Sequence, residues 1–336
     1  MKLLITFFLS FSLNAVCVHE KTILGAQLPE LQKQYDVYAE TEKGSFKKLI
    51  KAISIQRYNV QLLPKSEKSF EKSGPFDRYN RKYVEYYTYP RIVKFLDAKR
   101  ENLDTIGYEI QTVGKSLKGR DLFYVGPKSL DPSKKTIVMF GRHHGDEGTA
   151  NWIIEGFLNQ YISDKSFNEE FQLVLYPMVN PDGAMERSRY NANGRDLNRS
   201  WDTELGKDEI VSIHGHLASM LRKLSKVVIA LDMHGSFEED FIYRVKRSYK
   251  GEDFYNLQQK FIDELGIYDP WQNGNYILSN GHPKMARLVL LNHYNLHALT
   301  HETIRNIRLK NKEGRTMGNT YQRGNRSKEQ LTTNSN

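Results

Sequence analysis

The sequence predicts an α/β sandwich on a largely parallel central sheet, and three observations carry that expectation. From about Tyr87 to Glu302, short apolar runs alternate with amphipathic helical runs, the pattern of strands joined by crossover helices. The residues with chemical potential fall where the apolar runs end, which is where open α/β sheets place their sites. Beyond the N-terminus no apolar stretch is long enough to span a bilayer.

The elements follow in order. Tyr87-Thr88-Tyr89-Pro90 opens the ordered part, and Arg91 to Leu103 carries Ile92, Val93, Phe95, Leu96 and Leu103 on one helical face. Tyr108 to Val113 and Asp121 to Val125 read as strands around the loop GKSLKGR, with Gly114 and Gly119 as turn residues. Thr136 to Phe140 is an apolar β run. Gly148 to Tyr161 is a helix with Trp152, Ile153, Phe157 and Tyr161 on its apolar side. Phe171 to Met178 is a β run, Asp208 to Leu224 a helix, Val227 to Leu231 a β-branched strand and Phe254 to Leu265 a helix. Tyr276 to Leu278 is a short strand, Pro283 to Asn292 a helix beginning at proline, and Leu296 to Thr300 a last strand.

Outside this region the expectations are coarser. Lys2, the apolar Leu3 to Leu13 and the small Ala15 and Cys17 make residues 1–17 a secretory signal. The mature protein is then exported, to a periplasm or beyond, without a stable membrane insertion. Cys17 is the only cysteine, so the mature chain has no disulfide, no thiolate chemistry and no Cys-based zinc site. Residues 18–80 read as a Lys-rich extension or pro-segment, 81–306 as the catalytic domain and 307–336 as a basic, disordered tail. The balance of 49 Lys+Arg against 40 Asp+Glu, net +9, suits an anionic partner such as cell-wall polymer. It is not interleaved with aromatic platforms as in nucleic-acid modules, so no nucleic-acid partner is expected; the expected state is a monomer.

The chemistry centres on GRHHGDEG, Gly141 to Gly148. His144 and Glu147 form H-x-x-E on a turn freed by Gly141, Gly145 and Gly148, and His234 in LDMHG closes another β run. Two imidazoles and one carboxylate are an open zinc set, with a position left for water and substrate. RYNANGRDLNR, Arg189 to Arg199, adds guanidinium groups suited to carboxylates and oxyanions. His143 is the runner-up ligand; His214, His216, His293 and His297 read as structural. No phosphate-cradling glycine loop and no G-x-S-x-G or Ser/His/Asp arrangement is present.

These motifs, with GKSLKGRDL, YPMVNPDG, YILSNG and LTHE in the same order, resemble the zinc carboxypeptidases, the carboxypeptidase A-like metallopeptidases. The H-G-D-E wording is most similar to the murein-peptide amidase and γ-D-glutamyl-diaminopimelate peptidase branch. The resemblance implies a three-layer sandwich with a mixed, largely parallel sheet and one zinc ion on His144, Glu147 and His234. It also implies Glu302 as the catalytic carboxylate, Arg189 as the residue that polarises the scissile carbonyl, and Asn198 with Arg199 as the grip on the substrate's terminal carboxylate. Asp196 would fix a ligand imidazole, and Tyr276 would be a substrate contact. Asp146, where digestive carboxypeptidases have arginine, separates this chain from them. Three other readings share parts of the pattern: an N-acyl-amino-acid deacylase similar to the aspartoacylase group, a non-catalytic peptide-binding relative, and a zymogen masked by residues 18–79.

Overall fold

Eight strands of the computed structural model form one sheet, in the order β1-β2-β4-β3-β5-β8-β6-β7. The structure describes residues 87–202, 208–224, 226–236, 241–268, 274–304, 309–310 and 316–317. The expected signal segment and extension lie outside these residues, as does most of the basic tail. The strands are β1 (Tyr108–Lys115), β2 (Asp121–Pro127), β3 (Lys135–Gly141), β4 (Phe171–Tyr176), β5 (Val227–Ser236), β6 (Phe241–Arg244), β7 (Tyr276–Leu278) and β8 (Ala298–Ile304). A two-residue pair, β9 (Leu309–Lys310) and β10 (Thr316–Met317), is separate. The central pairs β3–β4, β3–β5 and β5–β8 are parallel, and β1–β2, β2–β4 and β6–β8 are antiparallel.

The two apolar faces of the sheet are covered separately. On one side α1 (Tyr89–Thr105), α2 (Thr149–Ser163) and α7 (Glu252–Tyr268) bury Ile92, Leu96, Ile153, Phe157, Phe261 and Leu265 against Ile137 and Met139. On the other, α5 (Glu209–Leu221) and α8 (Ala286–Tyr294) bury Ile213, Leu217, Val289 and Leu290 against Val138 and Phe140. Alternate residues of β3 thus feed opposite cores, as a two-sided buried strand requires. The outcome is the expected three-layer sandwich. Among the described residues no helix is long and apolar enough to cross a membrane.

The short elements α3 (Lys165–Glu170), α4 (Pro181–Glu186) and α6 (Arg247–Lys250), and the strand β6, were not visible in the sequence. Each has too few residues to show a period. β5 continues to Ser236 because its parallel pairing with β8 runs to Ser236↔Ile304, so His234 lies inside the strand rather than closing it. β4 stops at Tyr176, short of the expected Met178, because the chain turns back there: Val179 N–H donates to Gly141 O. The last helix starts at Ala286 instead of Pro283. His282 to Met285 close a turn first, and Met285 keeps an extended backbone (ψ 149°) ahead of the helix.

Candidate active site

The site lies at the carboxyl ends of β3, β5 and β8, and each segment is turned into it by a local device. After β3, Arg142 adopts a left-handed φ of 66° while its buried guanidinium donates to Gly145 O and Asn151 Oδ1. The turn it braces presents His144 and Glu147. Asn180 caps α4 by accepting from Gly183 N–H and donates to His143 O, tying the NPDG segment beneath the turn. Asn191 organises RYNANGRD: its Oδ1 accepts from the N–H groups of Asn193 and Arg195, and its Nδ2 donates to Glu209. Gly194 takes φ 73°, which completes the reversal.

His144, Glu147 and His234 converge and are buried. His144 Nδ1 is 2.8 Å from Glu147 Oε1, His234 Nδ1 is 2.8 Å from Glu147 Oε2, and the two Nδ1 atoms are 3.1 Å apart. The remaining ring nitrogens face carboxylates: His144 Nε2 is 3.1 Å from Asp196 Oδ1 and His234 Nε2 is 2.9 Å from Asp232 Oδ2. With each Nε2–H donating to its carboxylate, both Nδ1 lone pairs point at each other and at Glu147. That is a cation site by its donor chemistry, and it fits zinc with one open position.

The electrostatics agree. Burial alone would lower the His144 and His234 pKa values, but the facing carboxylates outweigh it and both are raised. Burial alone would raise Glu147, but the two imidazoles hold it well below the usual carboxylate range. Positive charge is therefore favoured at this spot, whether carried by protons or by a metal.

A cavity of about 210 Å³ opens beside the donors, lined by His144, Arg189, Asn198, Arg199, His234 and Glu302 among others. Parallel register sets Glu302 directly opposite His234, so both side chains leave the sheet on one face. The next residues, His301 and Thr303, are buried and alternate to the other face. Arg189 is held by Asp196 Oδ2, which accepts from its Nε at 3.1 Å and Nη2 at 2.8 Å, and its Nη1 is 3.3 Å from His144 Nδ1. Asp196 stays well below the usual carboxylate range despite partial burial, through His144 first and Arg189 second.

Tyr276 is placed elsewhere. It pairs with Ile242 on the edge strand β7, its ring lies 4.7 Å from the Arg244 guanidinium, and it is not among the cavity residues. Tyr243, on β6, lines the cavity instead. Burial, with Glu302 adding, pushes its hydroxyl up to about 12, so it stays protonated at neutral pH. His143, the runner-up ligand, has its nitrogens on Asp232 and Trp201 and belongs with Asp232 and His234 to a second group of possible metal donors. Lys284 is exposed on the turn before α8.

Arg287 was missed by sequence reasoning. It lies in the buried run ARLVLL of α8, yet lines the cavity with only 1% exposure. Its Nη2 donates to Ser279 O and its Nε has no partner. Burial lowers its pKa to about 10, which leaves it a cation. Gly281 makes the room: a Cβ there would come within 2.7 Å of the Arg287 Nη2.

Residues 92–218 match the family model described as zinc carboxypeptidase. Cytosolic carboxypeptidase 3 of Bos taurus is 31% identical over 192 residues, 52% of this chain and 19% of that protein. Cytosolic carboxypeptidase 2 of Xenopus tropicalis is 28% identical over 191 residues, 52% of this chain and 20% of that protein. The chain thus spans about a fifth of the length of these two relatives. A metallo-carboxypeptidase from Burkholderia cenocepacia shares the fold, with a TM-score of 0.60 at 19% identity over 73% of this chain and 65% of that one. Over residues 92–218 the chain is thus similar to the zinc carboxypeptidases, and the order of its motifs and its sheet agree with that likeness.

Proposed function

We propose that the protein is an exported zinc-dependent carboxypeptidase that removes the last residue of a peptide, with cell-wall peptides as its substrates. The observation that carries the hydrolytic half is the placement of Glu302 beside His234 across one cavity that also holds Arg189, Asn198 and Arg199. When bound, zinc supplies a Lewis acid and brings the pKa of a water toward ~7. Glu302 takes a proton from the attacking water and delivers it to the leaving amine. Arg189, held by Asp196 and next to His144, receives the developing negative charge on the carbonyl oxygen. Asn198 and Arg199 grip the terminal carboxylate.

Arg287 supports the choice of substrate. A desolvated cation facing a cavity is unfavourable until an anion joins it. It favours a released residue whose side chain ends in a carboxylate, which glutamate and diaminopimelate both have. The net charge of +9 suits an anionic polymer as neighbour. Export rests on residues 1–17 alone, and the two relatives above are named as cytosolic proteins; the N-terminal sequence of protein recovered from outside the cytoplasm decides it.

The test is mass spectrometry of products from murein tri- and tetrapeptides and from ordinary peptides, with and without a zinc chelator. Chelator-sensitive loss of diaminopimelate or another terminal residue is expected. Cleavage of neither set by zinc-loaded protein overturns the reading and leaves the deacylase and the binder.

A further inference from the structure

Asp232 lies two residues before a proposed metal ligand and is buried in the same strand. Its two oxygens meet three donors from three segments. Oδ1 is 2.7 Å from His143 Nδ1, while Oδ2 is 2.9 Å from His234 Nε2 and 3.3 Å from Asn198 Nδ2.

The directions of these bonds are set by chemistry. Trp201 Nε1–H can only donate, and it reaches His143 Nε2 at 2.9 Å; His143 Nε2 is therefore bare. The proton of a neutral His143 is then on Nδ1, where it donates to Asp232 Oδ1. Ala286 N–H donates to Asn198 Oδ1 at 2.9 Å, which turns the amide Nδ2 toward Asp232. In the neutral ring the His234 Nε2–H donates to Asp232 Oδ2, with Asn198 Nδ2 also 3.1 Å from that nitrogen, and Nδ1 is then the unprotonated atom toward His144 and Glu147. The His143 and His234 rings lie parallel, 4° apart in plane, with Asp232 between their nitrogens.

We infer that Asp232 is a positioning residue for both halves of the site: it fixes the tautomer of His234 for the metal and the amide of Asn198 for the substrate's terminal carboxylate. His143 and Trp201 act through it, by holding its other oxygen in place. The inference rests on the zinc carboxypeptidase reading for the roles of His234 and Asn198. Its first readout, zinc affinity, requires no turnover and so is separable from that reading.

The experiment measures zinc Kd of the full chain by competition with a chromophoric chelator, and KM and kcat on a cleaved peptide at saturating zinc. Asp232→Asn keeps the shape but offers one acceptor where there were two. Zinc is expected to bind roughly 10- to 100-fold more weakly, the usual effect of losing such a partner, and KM to rise more than kcat falls. In the Asn198→Ala background the KM effect of Asp232→Asn is expected to shrink, because both act through one group. A folded Asp232→Asn protein with zinc Kd within twofold of the parent overturns the inference. Should that variant not fold, Trp201→Phe removes the N–H that orients His143 while leaving an aromatic ring in the buried slot. A several-fold weaker zinc Kd supports the relay and an unchanged Kd overturns it.

Discussion

Glu302 owes its place to a strand register, and its role is open to a single substitution. Glu302→Gln keeps the volume and removes the carboxylate proposed as the base. Expected is a fall in kcat of roughly 10²- to 10⁴-fold with zinc content unchanged, by single-turnover assay and metal analysis; unaltered turnover moves the base elsewhere. Arg287 makes the complementary case for specificity. Replacing it by Met removes the buried cation while keeping an unbranched chain, and the discrimination between peptides ending in Glu and in Gln should fall by roughly 100-fold, read as paired kcat/KM values. The control is a peptide ending in Leu, which should be cleaved no worse. These residues were unequally legible. His144 and Glu147 declare themselves because both donor side chains sit in one glycine-flanked turn. Arg287 hides inside an apolar helical run, and nothing in a linear reading separates a cavity-facing arginine there from a surface one. Tyr276 and Tyr243 were exchanged for a simple reason: they are on neighbouring strands, and only pairing shows which faces the cavity.

At the scale of elements, the turn after β3 depends on a close backbone approach. A Cβ on Gly145 would stand 2.0 Å from Gly183 C and 2.4 Å from Ala184 N, and both contacts are backbone, so the turn or α4 has to move. Overpacking of this kind costs about 1–3 kcal/mol, or about 2–4 °C in Tm per kcal/mol for a domain of this size. Gly145→Ala should therefore lower Tm and weaken zinc binding together, since His144 is the adjacent residue; calorimetry with and without zinc reads both. A variant with parental Tm and zinc affinity would show that the turn tolerates the displacement. The sequence revealed the long elements because their periods span several turns or several alternations. It did not reveal β6, four residues that nonetheless bring Tyr243 to the site, nor the length of β5, which is decided by its partner β8. Pairing partners are non-local, and period alone carries no information about them.

The whole molecule carries a pH dependence that originates in its core. His297 is fully buried among aromatic rings, 5.8 Å from Phe254 and 6.1 Å from Phe261 centre to centre, and burial lowers its pKa to about 3. His214, packed on Trp201 with its Nε2 2.6 Å from the Tyr294 hydroxyl, is lowered to about 4, burial again being the main cause. In the unfolded chain both titrate near the ordinary value of 6.5. Below that pH the unfolded state binds protons that the folded state refuses, so stability is full above about 6.5 and falls as pH drops toward the folded values. The slope is about 1.4 kcal/mol per pH unit for each such histidine. His144 and His234 shift the other way in the metal-free protein and oppose this trend, which is why the useful quantity is a difference between two proteins that share them. His297→Phe places an uncharged ring of similar size in the aromatic slot. Its stability relative to the parent, from urea unfolding of the metal-free protein, should be nearly constant above pH 7 and should rise by about 1.4 kcal/mol per unit as pH falls from 6 to 4.5. A difference that stays flat across that range would mean that His297 accepts a proton in the folded state, and that the core opens around it before the molecule unfolds.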